Sequence, residues 1–186
     1  MPLYHTTKVY AVKQAKIYKI TLDSAGVATA YGTGFVLTGA RELQVTETFK
    51  EAYLRGDNQL LDYEAIRETV KAKLRHGKLV IDAVSIITGS TIADTGSTPN
   101  QKVTNTYAPT DSPSFFKIEA QCWSVDGTPG DYHVVLGKAK VAGSRVFGLV
   151  EEAFQEYTFE MVAVPPVGTG SVWYQEVLNE TAIAIA

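Results

Sequence analysis

The stretch that most restricts what this chain can fold into is Arg41–Leu74, two long extended runs on either side of Gly56-Asp57-Asn58. The first run, "RELQVTETFKEAYL" (Arg41–Leu54), is rich in Thr, Val, Phe and Tyr and alternates over much of its length, as a β-strand does. A second extended run begins at "QLLDYEAIRETVKAKL" (Gln59–Leu74). The residues between them tolerate positive φ and bond their own backbone, so they read as the turn of one long β-hairpin. Arg55-Gly56-Asp57 also spells a cell-adhesion word, but three-residue words match by chance and the turn already accounts for it. A two-stranded ribbon is marginal alone in water, and its open edges must be covered by something.

Most of the remaining chain also reads as strand. Val9–Leu22, Val27–Gly39, Phe115–Val125, Tyr132–Gly143 and Val146–Val164 are extended runs, the last with Tyr157, Phe159 and Met161 in alternation. The final run, "SVWYQEVLNETAIAIA", alternates Ala and Ile to its end. Residues 90–114 are rich in Ser, Thr, Asn and Pro and predict an exposed loop or excursion. One segment differs. In "GKLVIDAVSIITG" the polar residues Lys78, Asp82 and Ser85 share a helical face, apolar residues cover the rest, and Gly89 is placed to end it. This predicts a single short helix over residues 78–88, β-branched and dependent on packing against a sheet. The expected architecture is mainly β: one domain over residues 1–186, a sandwich or barrel with one flanking helix and a long hairpin at 41–74.

Charge and cysteine content then exclude several classes of function. A net charge of −3 offers no basic face for gripping nucleic acid. Cys122 is the single cysteine, which rules out an intrachain disulfide; beside Trp123 in an apolar run it reads as a buried structural thiol. The opening residues lack the pattern of a signal peptide, and no apolar run approaches membrane-spanning length, so a soluble protein folded in a cytoplasm is expected. Asn179-Glu180-Thr181 would matter only in a glycosylating pathway. His5, His76 and His133 stand apart from any ligand spacing and read as surface or strand residues, so no metal or cofactor is expected. Gly32-Thr33-Gly34 and Gly168-Thr169-Gly170 lack the strand–loop–helix context of a phosphate cradle. Glu151, Glu152, Glu156 and Glu160 read as a solvated acidic face rather than a catalytic set, and nothing in the sequence predicts an enzyme.

Within the hairpin, Glu42, Gln44, Thr46 and Thr48 fall on one face of the first strand, which carries no Lys or Arg. Leu43, Val45 and Phe49 on the opposite face suit a core. Lys71, Lys73 and Arg75 make the end of the return strand basic.

The ordered set of "LRGDNQLL", a charged and β-branched return strand, and a helix of the "LVIDAVSIITG" kind, spanning Arg41–Gly89, resembles the major tail tube proteins of long-tailed bacteriophages. The resemblance implies a β-sandwich with one flanking helix and no enzymatic activity. It implies protomers in hexameric rings that stack into a tube, with long hairpins joined into a continuous barrel conducting DNA without specific binding. It further implies that Glu42, Gln44, Thr46 and Thr48 face the lumen, with Lys71, Lys73 and Arg75 at its rim or on the outer face. The loop of Leu54, Arg55, Gly56, Asp57, Asn58, Gln59 and Leu60 would reach the neighbouring ring. The implied partners are other copies of the chain, a tape measure protein, and tail terminator and tail-tip proteins. Its place would be the virion tail, assembled in the cytoplasm of a bacterial host. Two other readings stand beside this one. A secretion-system or contractile-injection tube would use the same ring and bore, and a carbohydrate-binding β-sandwich would use Trp123, Trp173 and Tyr174.

Overall fold

The computed structural model describes residues 9–57, 59–124, 130–146, 148, 151–152, 155–168, 172–179 and 181–185. Among them, β1 (Val9–Leu22), β2 (Ala30–Leu37), β3 (Ala40–Gly56), β4 (Gln59–His76), β7 (Phe116–Ser124), β8 (Asp131–Val146) and β9 (Tyr157–Ala163) form one antiparallel sheet. Its strand order is β2-β1-β7-β8-β9-β4-β3, and β10 (Gln175–Asn179) pairs with β8. β2 and β3 end this order at opposite edges, yet only Thr38 and Gly39 connect them. So short a link forces the sheet to roll until its edges approach, and β3 does come close to β1. Gly39 makes the corner at φ 74° and accepts a 2.8 Å hydrogen bond from the Gly77 amide. The result is a β-sandwich of barrel-like form, as the strand-rich sequence predicts.

Alternate residues of each strand point into the roll and exclude water. In β9, Tyr157, Phe159, Met161 and Ala163 are buried while Thr158, Glu160 and Val162 face the other way. Ile17, Leu37, Val70, Leu74, Phe116, Ile118 and Leu136 complete the centre of the core, each worth about 1.5–3 kcal/mol of burial. The helix, α1, spans Ile81–Thr88 and lies against β1, β2 and β8 with Ala83, Val84, Ile86 and Ile87 buried. It starts three residues later than the sequence pattern suggests. Val80 is extended (φ −120°, ψ 97°) and offers no side-chain cap, so the turn leaving β4 runs on through Lys78 and Leu79. At the other end Gly89, at φ 76°, closes the helix through a 2.7 Å bond from its amide to Ser85 O.

Three other expectations change. Residues 90–114 are largely exposed but contain a small ribbon, β5 (Thr91–Thr95) against β6 (Lys102–Thr106), whose polar faces hid it from a periodicity test. The run expected over Val146–Val164 is divided: β8 continues to Val146 and β9 begins at Tyr157, with a turn at Glu151–Glu152 where Glu152 takes φ 62°. The alternating Ala and Ile at the C-terminus form no strand past Asn179; other bonds hold them.

Candidate functional site

The hairpin outgrows the body of the protein. β9 pairs with β4 only along Val70–His76, and among the described residues no strand pairs with the outer edge of β3. Beyond Thr48 and Thr69, therefore, both edges of the ribbon are open. Its register slips at three places: between Ala40 and Glu42, leaving Arg41 as an extra residue of β3, and between Thr48 and Phe49 and between Leu54 and Arg55, leaving Glu68 and Leu61 as the extra residues of β4. Tyr53 and Tyr63 meet across the strands with ring centres 5.2 Å apart, and the Arg67 guanidinium lies 5.7 Å from the Phe49 ring and 3.1 Å from Glu47. These contacts hold the ribbon to itself but cover little. Leu54, Leu60, Leu61 and Ile66 are 57–61% exposed, with Phe49, Tyr53 and Tyr63 about half exposed. So many large apolar groups together on a projecting element mark an interaction surface.

Phe49 thus departs from expectation. It was placed with Leu43 and Val45, which do pack on the core, but the ribbon has already left the body at the Glu68 bulge and Phe49 stands in the open. At the tip, Leu54, Arg55, Asp57, Gln59 and Leu60 are exposed, Gly56 ends β3, and Asp57 supplies the positive φ (50°); Asn58 lies outside the described residues.

Glu42, Gln44, Thr46 and Thr48 do share a face, with the last three exposed. Cross-strand register changes the character of that face. Glu42 stands opposite Arg75, Gln44 opposite Lys73 and Thr46 opposite Lys71, and directly opposed residues of an antiparallel pair point the same way. The three cations therefore share the face of Glu42, Gln44 and Thr46, which points away from the core. Arg75 is neutralised there, 3.2 Å from Glu42 and in close contact with Glu156, which also takes Arg41 at 2.7 Å. The hydrogen bond from Arg75 is the main reason the Glu156 carboxyl sits below its ordinary range. Among the described residues Lys71 and Lys73 have no such partner.

A second cluster was not anticipated. His133 is buried between two carboxylates, with Nδ1 3.0 Å from Glu119 and Nε2 3.0 Å from Asp131. Lys117 is 2.8 Å from Glu119. Asp131 Oδ2 also accepts from Gln121 and from the Ile183 amide at 3.0 Å, and its Oδ1 accepts from Asn179 at 2.9 Å. Gln121 in turn donates to Ile183 O at 2.8 Å. One carboxylate thus fastens the C-terminal segment onto the outer face of β7 and β8 and adds a side-chain bond to the Asn179 end of β10, which pairs with β8 along its backbone. Burial alone would raise the Asp131 carboxyl, but the hydrogen bonds outweigh it and bring it to about 2. Burial likewise acts to lower His133, and the two carboxylates reverse this and raise it.

His76 is the opposite case. It is fully buried, stacked on Tyr157 at 5.3 Å, and neither ring nitrogen completes a hydrogen bond of good geometry. Burial lowers its pKa, and the nearby Lys78 backbone only partly opposes this. The two histidines therefore give opposite pH dependence. His133, raised when folded, contributes stability fully below its unfolded pKa of about 6.5, and this is lost as pH rises through its folded value. His76, lowered when folded, costs stability as pH falls below about 6.5, because the unfolded chain takes up the proton first. Thermal melts across pH should show His133→Gln flattening the alkaline limb and His76→Phe flattening the limb just below neutrality. An alkaline limb that survives His133→Gln would assign that limb to another group.

Among the remaining candidates, His5, Thr169, Gly170 and Glu180 lie outside the described residues. Cys122 is buried, and burial raises its thiol, consistent with a structural role. Glu151, Glu152 and Glu160 are exposed, while Glu156 joins the arginine cluster. Gly32, Thr33 and Gly34 lie within β2, and the Gly168 amide donates to Asp23. Trp123 is exposed with Lys13 over its ring, whereas Trp173 and Tyr174 pack against the core. Among the described residues no group of His, Cys, Asp and Glu could hold a metal ion, and no helix is long and apolar enough to cross a membrane. No protein-family model and no curated protein matches the sequence.

Proposed function

We propose that this protein is a structural subunit that polymerises, as stacked hexameric rings, into the tail tube of a bacteriophage and forms a conduit for DNA. One observation carries the reading. The β3–β4 ribbon extends beyond every partner strand among the described residues, with both edges open and apolar side chains on both faces. An exposed edge of that length invites uncontrolled pairing in a monomer. A ring of copies joined ribbon to ribbon removes the edges by closure, since a closed barrel has none. Stacking the rings head to tail repeats one heterologous contact and yields an open polymer. The sixfold number and the virion setting rest on the resemblance of Arg41–Gly89 to the tail tube proteins. In this reading Glu42, Gln44, Thr46 and Thr48 face the bore, and Leu54–Leu60 reach the next ring. Other copies, a tape measure protein, and terminator and tail-tip proteins are the partners, and the role is scaffolding without catalysis.

The double substitution Leu54→Asp/Leu60→Asp tests it. Both side chains are exposed in the single chain, so the melting temperature should change by the equivalent of less than about 0.5 kcal/mol. Sedimentation velocity over a concentration series should show large assemblies for the native sequence and only single copies for the variant. Equal assembly by both would remove the tip from the contact.

A further inference from the structure

Lys71 and Lys73 lie two residues apart on one extended strand, so they project from the same face about 6.6 Å apart along it. Thr46 and Gln44 stand opposite them on β3, and β9 places Val162 and Glu160 on their other side. Together these residues line a groove of about 450 Å³ whose far wall is Ala142 and Gly143. The groove exists because β8 loses register with β9 between Val141 and Arg145 and turns residues 142–144 aside. Gly143 keeps it open: it takes φ 93°, and a Cβ there would stand 2.9 Å from the Glu160 carboxylate.

Most other cations of this sheet surface are paired, and Lys140, beyond Val162, lies over the Phe115 ring at 5.2 Å. Arg75 is held by Glu42 and Glu156, Lys117 by Glu119, and Lys138 by Asp23. Among the described residues Lys71 and Lys73 have no carboxylate within ion-pair distance, and the Gln44 amide and Thr46 hydroxyl bond no protein group. Four hydrogen-bond donors thus converge on one groove without a protein acceptor. From this geometry we propose that the groove binds a phosphodiester chain, the lysines meeting successive phosphates and Gln44 and Thr46 bonding their free oxygens. Ala142 and Val162 supply apolar surface for the sugars that accompany each phosphate. Glu160 offsets part of the lysine charge, which keeps each contact weak and releasable. In one respect this rests on the tube reading: a bore of stacked copies repeats the groove around its wall, giving a nucleic acid many weak holds where a purely repellent lining would give none.

The test is fluorescence anisotropy of a labelled oligothymidylate with native, Lys71→Gln/Lys73→Gln and Glu160→Gln proteins at two salt concentrations. Each lysine–phosphate contact contributes a salt slope of about 0.7, so two contacts lose about 25-fold in affinity for a tenfold rise in salt. The lysine variant should bind at least tenfold more weakly than native protein at low salt, and Glu160→Gln should bind several-fold more tightly. No binding by native protein at low salt, or equal binding by the lysine variant, overturns the proposal. So does polyglutamate displacing the oligonucleotide at equal charge concentration, which would assign the groove to an acidic polypeptide. Should the lysine variant fail to fold, the gain expected of Glu160→Gln decides alone, and its absence overturns the site. Assembly, read separately by sedimentation, keeps the two ideas apart. Binding by a protein that never assembles would retain the groove and refute the tube, and assembly without binding would do the reverse.

Discussion

Asp131→Ala should lower the melting temperature by about 10 °C, the largest effect expected of any single charge in this protein. The side chain is 2% exposed and accepts from four groups on three different parts of the chain. Its removal leaves the His133 ring facing a void, takes the acceptor from the Ile183 amide and the Asn179 side chain, and leaves Gln121 only its bond to Ile183 O. Removing one partner from a buried charged pair costs about 3–5 kcal/mol, and in a chain of this length each kcal/mol shifts the midpoint by about 2–4 °C. The loss should also be local. Hydrogen exchange should rise first in residues 181–185 and next at the Asn179 end of β10, because Asp131 bonds the Ile183 amide and the Asn179 side chain while the backbone ladder to β8 holds the rest of β10. A variant melting within about 2 °C of native protein would show that the C-terminal segment is held by something else.

Gly89→Ala should cost about 3 kcal/mol, and its comparison with Gly26→Ala shows why. Both glycines have positive φ, 76° and 78°. At Gly26 an added Cβ meets nothing within 4 Å, so only the backbone preference is lost, about 1 kcal/mol. At Gly89 the same atom would lie 2.2 Å from the Ser112 carbonyl oxygen, a backbone group that moves only with its whole segment. Denaturant melts of the two variants measure the difference as a change in midpoint at constant slope. Equal losses would mean that the Ser112 segment yields freely and that the helix end is loosely packed.

Much of this architecture is legible in the sequence because it is written locally. Alternation in Tyr157-Thr-Phe159-Glu-Met161 gives the buried face of β9, and Gly89 marks the end of the helix. The hairpin, expected at 41–74, runs from Ala40 to His76. The rest lies between strands. On their own strand Lys71, Lys73 and Arg75 have no fixed neighbours. Yet once Gly56 is paired with Gln59, parity places them beside Gln44 and Glu42, and the two bulges at Leu61 and Glu68 cancel in their effect on it. The face was therefore recoverable from the turn. The Asp131–His133–Glu119 cluster was only half so. Asp-x-His on a strand shares a face, but Glu119 joins it through the pairing of β7 with β8, and Asn179 and Ile183 arrive from the far end of the chain. Phe49 shows the converse limit: its position in the alternation marks it as core-facing, and nothing local reveals that the body of the protein ends before it.

The central claim is that the projecting ribbon exists to be closed by other copies. Negative-stain electron microscopy of the purified native protein at rising concentration tests this most directly. The account predicts rings, and then hollow tubes of uniform diameter built from stacked rings. Single copies at every concentration, with the ribbon still exposed and no tubes formed, would contradict it.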